Sequence, residues 1–477
     1  MSYREKVTDL RRDCMKKIRY FLFLFVFIGV LCGCGNKETS KLDPDNPVTV
    51  KVWHYYNGDK KEIFDKYVKE FNETEGAQKG VNVEVTYLGS TYDIQDEVLA
   101  AANKEIGAES LPNIFAAYSD NAYEIDKLGL LADISQYISD EEKAEFVEGY
   151  INEGYQFDNK SLKIFPIVKS TEVMYLNRTD WDEFASATGA KESDLLYVEG
   201  ITDVAKEYYE WSGGKALFGR DAVANLFNIA FKQFGKEMFN INGDKVELEF
   251  DREIVKKIWD NLYVPLVQGY FYSDNSFRSD NMKLGSIIAY VGSSSSVEYL
   301  PKEVTINDSE SYPIEISVLE APVFKDGEQC AVQQGAGMAV IDSDEKEVEA
   351  SVCFLKWLTQ TERNAKMAVE LGYLPVKKEA NNIEYMRDII KDYDISETVK
   401  ESLYTGIQIA NEKKLYTSPV FENASDVRQI LEKSMLNKAL ADRELILAGD
   451  DIDKYLTDDN FDEWYNEVTN DINEFIK

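Results

Sequence analysis

The chain has 477 residues, with 53 Lys and Arg against 87 Asp and Glu, a formal net charge of −34, one histidine (His54) and five cysteines. So acidic a surface repels a phosphate backbone, and a single histidine excludes His-rich metal sites and leaves any Ser–His–Asp or Cys–His machinery to His54 alone. Hydrophobic residues at 44% and aromatic residues at 12% are those of a folded chain, and at ~100–200 residues per domain the length suggests two or three domains.

Lys16, Lys17 and Arg19 precede an apolar run, Tyr20–Leu31, of 12 residues. A spanning helix needs ~20. A basic segment, a short apolar segment and small residues after it mark residues 1–33 as a secretory signal. The order Leu31-Cys32-Gly33-Cys34-Gly35 resembles a bacterial lipobox, which implies a lipid on Cys34 of the mature chain. An ordinary cleaved signal with incidental cysteines is the plainer alternative, and both Met1 and Met15 stand as starts. Residues 1–33 carry a net +4, so the mature chain would carry −38. A body of that charge is repelled by anionic lipid heads and needs a covalent anchor to stay at a membrane. Cys330 and Cys353 could pair in an exported protein. The apolar helical pattern around Cys353 favours two buried thiols instead.

Residues 34–47 are polar and broken by prolines, and read as a tether. Val48–Trp53 alternates as a strand. Lys61–Asn72 places Ile63, Phe64, Tyr67, Val68 and Phe71 on one helical face. Val81–Tyr87 is a second strand, Ile94–Lys104 a helix, Leu111–Tyr118 a buried strand and Asn121–Lys127 a helix. This alternation predicts a parallel sheet covered on both faces, with ligands beyond the carboxyl ends of its strands. Lys163–Val168 is a further strand leading to Val173–Asn177, and aromatic-rich helices fill 180–240. Asn242-Gly243 predicts a hairpin, and Asp251 a helix cap. Leu284–Val291, Ile314–Ala321 and Ala331–Ile341 read as strands. Ser343–Leu358 and Thr361–Leu371 read as helices, and the tail after 383 is mostly helical.

Several of these segments are loose as single motifs and specific as a series. Val52–Lys60 is similar to a first strand and ligand-facing turn, and Leu111–Ala116 to a third strand leading to a binding loop. Leu128–Ile134 is similar to a "G-L-L-x-D" segment, Phe165–Asn177 to an interlobe crossing, Gly285–Ser293 to a strand and loop, and Leu371–Val376 to a terminal "g-x-x-P-v". In this order they resemble the sugar-binding extracellular solute-binding proteins of ABC importers, the group of maltose-binding protein. The resemblance implies an α/β, two-lobed periplasmic-binding-protein-like fold of type II, with mixed sheets flanked by helices and a ligand cleft between the lobes. One lobe would take 48–168 and 330–380, the other 169–329 and 381–477. It also implies a monomer at the outer face of the cytoplasmic membrane that delivers a small solute to permease subunits. It implies no enzyme activity and no cofactor.

Candidate ligand contacts follow from strand ends and from the resemblance. Tyr55 and Tyr56 offer faces for a sugar ring, or pack in a core. Asp59 and Lys60 offer hydroxyl partners, or sit on a solvated turn. Tyr118, Ser119 and Asp120 occupy the expected binding loop. Ser170, Thr171 and Glu172 are interchangeable candidates at the crossing. Phe421 stacks on ligand or staples a helix start. Gly292 and the run Ser293, Ser294, Ser295 and Ser296 depart from the maltose-type pattern. Hydroxyls ahead of a helix suit an anionic or phosphorylated sugar, or form a loop with one cap. A glycosidase using Asp120 and Glu172 is the enzyme alternative.

Overall fold

In Val48–His54 the side chains alternate between core and solvent up to Val52, after which Trp53 and His54 are both buried. The strand pairs in parallel with Val81–Tyr87 and with Ile114–Ala117. The helix between the first two strands, Gly58–Glu73, buries Phe64, Tyr67, Val68 and Phe71, the spacing of one helical face. Gly337–Val340 joins the other side of Ile114–Ala117 in antiparallel register and then pairs with Ile164–Phe165. The sheet is therefore mixed rather than all parallel. Its core includes Phe115, Phe146, Phe165, Phe354 and Trp357. The computed structural model describes residues 40–476 apart from 244, 275 and 308. The signal segment, Cys34 and the first part of the tether lie outside the described residues.

A second sheet has the order Lys414–Tyr416, Cys330–Gln334, Ser170–Asn177, Ala289–Ser293, Phe218–Arg220, with Ile316–Glu320 also paired to Ser170–Asn177. A separate core lies on it, built from Phe184, Phe227, Trp259, Phe250 and Trp464 and closed by the helices Ala424–Leu447 and Asp458–Phe475. Two sheets, each with its own core, give the two-lobed α/β architecture.

Local chemistry sets the boundaries. Asp251 accepts from the amides of Glu253 and Ile254 and starts Arg252–Asn261, and Asp344 caps Glu345–Leu358 in the same way. The hairpin over Asn242-Gly243 forms, pairing Phe239–Asn242 with Lys245–Leu248. The expected strand Ala331–Ile341 is two strands in two sheets. Gly335 divides them at φ +90, and a Cβ there would meet Lys169 Cα at 3.2 Å. The strand expected from Leu284 starts only at Ala289, because Leu284 ends the helix Arg278–Lys283 and Gly285 turns the chain at φ +67. Part of the expected tether is held against the body: Leu42 packs on the first core and Lys346 Nζ donates to the Asn46 carbonyl at 2.6 Å. Cys330 and Cys353 are free thiols, one in the second sheet and one on the helix Glu345–Leu358. Among the described residues no helix is long and apolar enough to cross a membrane.

Candidate functional site

All four residues of Ile114–Ala117 are buried, and polarity begins where the strand ends. Tyr118 precedes the helix Ser119–Lys127, whose first turn carries Ser119, Asp120 and Asn121. Opposite this turn lie Gln333 and Gln334 at the end of a second-sheet strand, Thr417 and Ser418, and Arg428 on the helix Ala424–Leu447. Together with Tyr92, Glu153 and Asn225 these residues line a cleft with about 210 Å³ of free volume. That is room for a small solute, at the lower end of ligand-pocket sizes.

The cleft mixes committed and uncommitted groups. Arg428 donates to the Ser418 hydroxyl at 3.2 Å and to the Asn225 side-chain oxygen at 2.8 Å, both neutral partners. The side-chain oxygens of Gln333 and Gln334 are buried without a partner, and Gln333 Nε2 donates to Thr417 Oγ1. Burial pushes the Asp120 carboxyl above the usual carboxylate range; Arg428 opposes that shift and Glu153 adds to it. Spare acceptors beside a guanidinium suit a solute carrying several hydroxyl groups. A Tyr ring at the wall adds an apolar face for such a solute.

The floor is built from the crossings between the sheets. Lys169 exchanges backbone hydrogen bonds with Leu374 at 3.0 and 2.6 Å. Its ammonium is held by Glu153 and donates to the Gly335 carbonyl at 2.8 Å.

Of the residues expected from sequence, Tyr118, Ser119 and Asp120 line the cleft. The others lie elsewhere or are committed. Tyr56 is buried in the first core, with its ring centroid 5.1 Å from Tyr55 and 6.4 Å from Tyr373. Asp59 is exposed on the first turn of Gly58–Glu73. Lys60 donates to the Ser295 carbonyl at 3.1 Å. Ser170 accepts from the Ser293 hydroxyl at 3.2 Å, and Thr171 donates to the Val332 carbonyl at 2.7 Å. Glu172 is paired with Arg220 and accepts from Asn225 Nδ2 at 2.9 Å, so it supports a cleft residue from behind. Ser293 caps the short 3₁₀ turn Ser294–Tyr299. Ser294 Oγ accepts from the Thr171 amide at 3.2 Å, Ser295 Oγ lies 2.9 Å from Ser293 Oγ, and Ser296 Oγ donates to the Ser293 carbonyl at 2.7 Å. The serine run therefore spends its hydroxyls inside the fold. Phe421 lies in the second core, 4.8 Å from Phe239. Asp120 and Glu172 border different cavities, which separates the pair a glycosidase would need.

Sequence reading missed Arg428, Gln333, Gln334, Thr417, Ser418, Asn225, Glu153 and Tyr92. The Gln333-Gln334 pair inside an otherwise apolar strand was an available signal. Arg428 had none, being one charge among many on a long helix.

Residues 66–394 match the family model described as bacterial extracellular solute-binding protein. The chain belongs to the bacterial extracellular solute-binding proteins. That family is one of binding proteins. Solved structures share the fold of this solute-binding protein at low identity. The cyclic α-maltosyl-1,6-maltose binding protein of Arthrobacter globiformis is 17% identical, with a TM-score of 0.63 over 84% of this chain and 98% of its own. UgpB of Mycobacterium tuberculosis, in complex with glycerophosphocholine, is 15% identical, with a TM-score of 0.61 over 84% and 99%. The maltodextrin-binding MalE domain of Bdellovibrio bacteriovorus, bound to maltotriose, is 15% identical, with a TM-score of 0.57 over 83% and 95%. No curated protein matches the sequence.

Proposed function

We propose that this solute-binding protein is the substrate-binding component of an ABC importer and captures a carbohydrate or carbohydrate derivative between its lobes. The observation that carries the reading is the cleft itself. Tyr118, Ser119 and Asp120 face Gln333, Thr417 and Arg428 across a cleft of about 210 Å³, and two of the buried oxygens there have no partner. Such a lining answers hydroxyl donors with acceptors and leaves the solute no water to compete with once the lobes close. The sugar-binding neighbours of the same fold, one of them bound to maltotriose, support it.

The lobes take roughly 48–168 with 335–380, and 169–334 with 381–477. Because Cys330–Gln334 pairs in the second sheet, we place the return crossing at Gly335. The protein works as a monomer, tethered through a lipid on Cys34 at the outer face of the cytoplasmic membrane, where the closed form meets the permease subunits. Lobe closure driven by ligand distinguishes loaded from empty protein.

A second reading, a solute bearing a phosphate or carboxylate, rests on Arg428 and its neutral partners; the buried Asp120 counts against it.

Thermal unfolding of the chain from residue 35 onward, screened against neutral sugars and sugar phosphates, tests the assignment. A solute at 100 times its dissociation constant adds ~2.7 kcal/mol of stability. Absence of stabilisation by every sugar, or turnover of an aryl glycoside, would sink it. Replacing Cys34→Ala should move the exported protein from the membrane pellet to the supernatant.

A further inference from the structure

Lys60 stands on the first-sheet side, in the first turn of Gly58–Glu73, yet its charge is spent on the other lobe. Its ammonium donates to the Ser295 carbonyl at 3.1 Å, lies 3.8 Å from Glu298 and sits 5.8 Å from the ring of Tyr299. Tyr373, from the first core, faces the same ammonium at 4.8 Å. Burial outweighs the ion pair for both groups, lowering the Lys60 pKa and raising that of Glu298. The contact is thus a directed hydrogen bond in a filled space rather than a strong charge pair.

The second sheet shows what that space is. Ser293 pairs with Glu172, and Gln333 and Gln334 pair with Thr171 and Ser170. The serine turn and the glutamine pair therefore lie at one end of the sheet, on either side of residues 170–172. First-lobe residues stand opposite both parts: Ser119 and Asp120 across from the glutamines, and Lys60 against Ser295. At the glutamine end the space is open. At the serine end Lys60 and Tyr373 fill it, the ammonium bonded to the Ser295 carbonyl and lying 4.8 Å from the Tyr373 ring.

We infer that Lys60 determines the size of ligand this protein accepts, closing the serine half of the interlobe cleft so that only a short saccharide fits, seated among Tyr118, Asp120 and Arg428. The inference rests on the carbohydrate reading above. A long oligosaccharide would run across the strand ends from Gln334 toward Ser293 and meet the Lys60–Ser295 bond. It would have to break that bond, or leave its further rings in solvent. A short one would meet neither cost. Without the Lys60 side chain the second half becomes available, while the lining of the first half is untouched.

Calorimetry on the soluble protein with matched short and long members of the maltose, cellobiose, mannobiose and xylobiose series tests this. In the unaltered protein the disaccharide of the bound series should bind at least about tenfold more tightly than its hexasaccharide. In Lys60→Ala the ratio should shift toward the long ligand by about fivefold or more. A Lys60 that merely held the lobes together would change both affinities alike and leave the ratio fixed. That result, or a hexasaccharide bound as tightly as the disaccharide by the unaltered protein, overturns the inference and leaves the carbohydrate reading standing. Failure of every sugar of either length overturns both. If Lys60→Ala does not fold, Lys60→Thr, which keeps only a short branched stem and cannot reach Ser295, carries the same comparison beside the unaltered protein.

Discussion

One carboxylate oxygen of Glu153 accepts from the Ser119 hydroxyl at 3.1 Å while the other holds the ammonium of Lys169. The same ammonium reaches the Gly335 carbonyl at 2.8 Å. A residue of the cleft wall and both crossing segments thus share one buried network, with the side chains of Lys169 and Glu153 only 1% and 3% exposed. Removing one partner leaves a buried charge uncompensated. Lys169→Met should cost about 3–5 kcal/mol of stability, and adding Glu153→Gln to it should restore most of that. Urea unfolding followed by tryptophan fluorescence measures both. A double-variant loss equal to the sum of the Lys169→Met and Glu153→Gln losses would show that the two groups are not coupled.

Asp120 is the one carboxylate that the sequence and the cleft agree on. Its side chain is buried and its carboxyl lies above the usual range because burial disfavours the charge. Asp120→Asn keeps the shape and removes the charge. Affinity for the captured sugar should fall by about 1.5–3 kcal/mol, roughly ten- to hundredfold, the worth of a hydrogen bond to a charged group. The ligand-free melting temperature should hold or rise, since a desolvated charge is gone. Titration calorimetry and thermal melts separate the two effects. Unaltered affinity would remove Asp120 from the site.

Periodicity made most of the fold legible. The helix face of Phe64, Tyr67, Val68 and Phe71, the Asn242-Gly243 hairpin and the Asp251 cap each depend on neighbours a few residues away, and local spacing reveals such neighbours. The site was legible only where a buried strand ended in polar residues, at Tyr118 to Asp120. Tyr55 and Tyr56 look the same in sequence, because a strand end that packs on Phe64 and Tyr373 has the composition of one that meets a ligand. The serine run illustrates the same limit: its hydroxyls satisfy one another, Ser170 and the Thr171 amide. Arg428 enters the cleft through a tertiary contact more than 300 positions from Asp120, and only the packed helix reveals it.

His54 now has a test of its own. It packs between Tyr56, Phe64 and Tyr87, fully buried, with neither ring nitrogen hydrogen-bonded. Desolvation pushes its pKa down from 6.5 to about 4, with Asp65 opposing. The folded protein keeps it neutral down to that pH, whereas the unfolded chain takes the proton from about pH 6.5 downward. The unfolded state therefore binds more protons in this window, and stability falls as the pH drops from 6.5 toward 4, by about 3 kcal/mol in all. Urea midpoints across that range should fall more steeply for the natural protein than for His54→Leu. Parallel curves would assign the acid loss to carboxylates alone.

Phe421 separates a core role from a ligand role most sharply. Its ring lies against Phe239 in the second core and is 2% exposed, three residues beyond Ser418 of the cleft wall. A stacking residue deleted from a sugar site weakens binding and barely affects the fold. A buried ring deleted from a core leaves a cavity whose cost is about 3–5 kcal/mol. Phe421→Ala should therefore lower the urea midpoint strongly while the folded fraction binds the solute within about threefold of the natural affinity. Phe421→Leu, which fills much of the space, should recover more than half of the lost stability. A variant with a normal midpoint and a hundredfold loss of affinity would return Phe421 to the cleft.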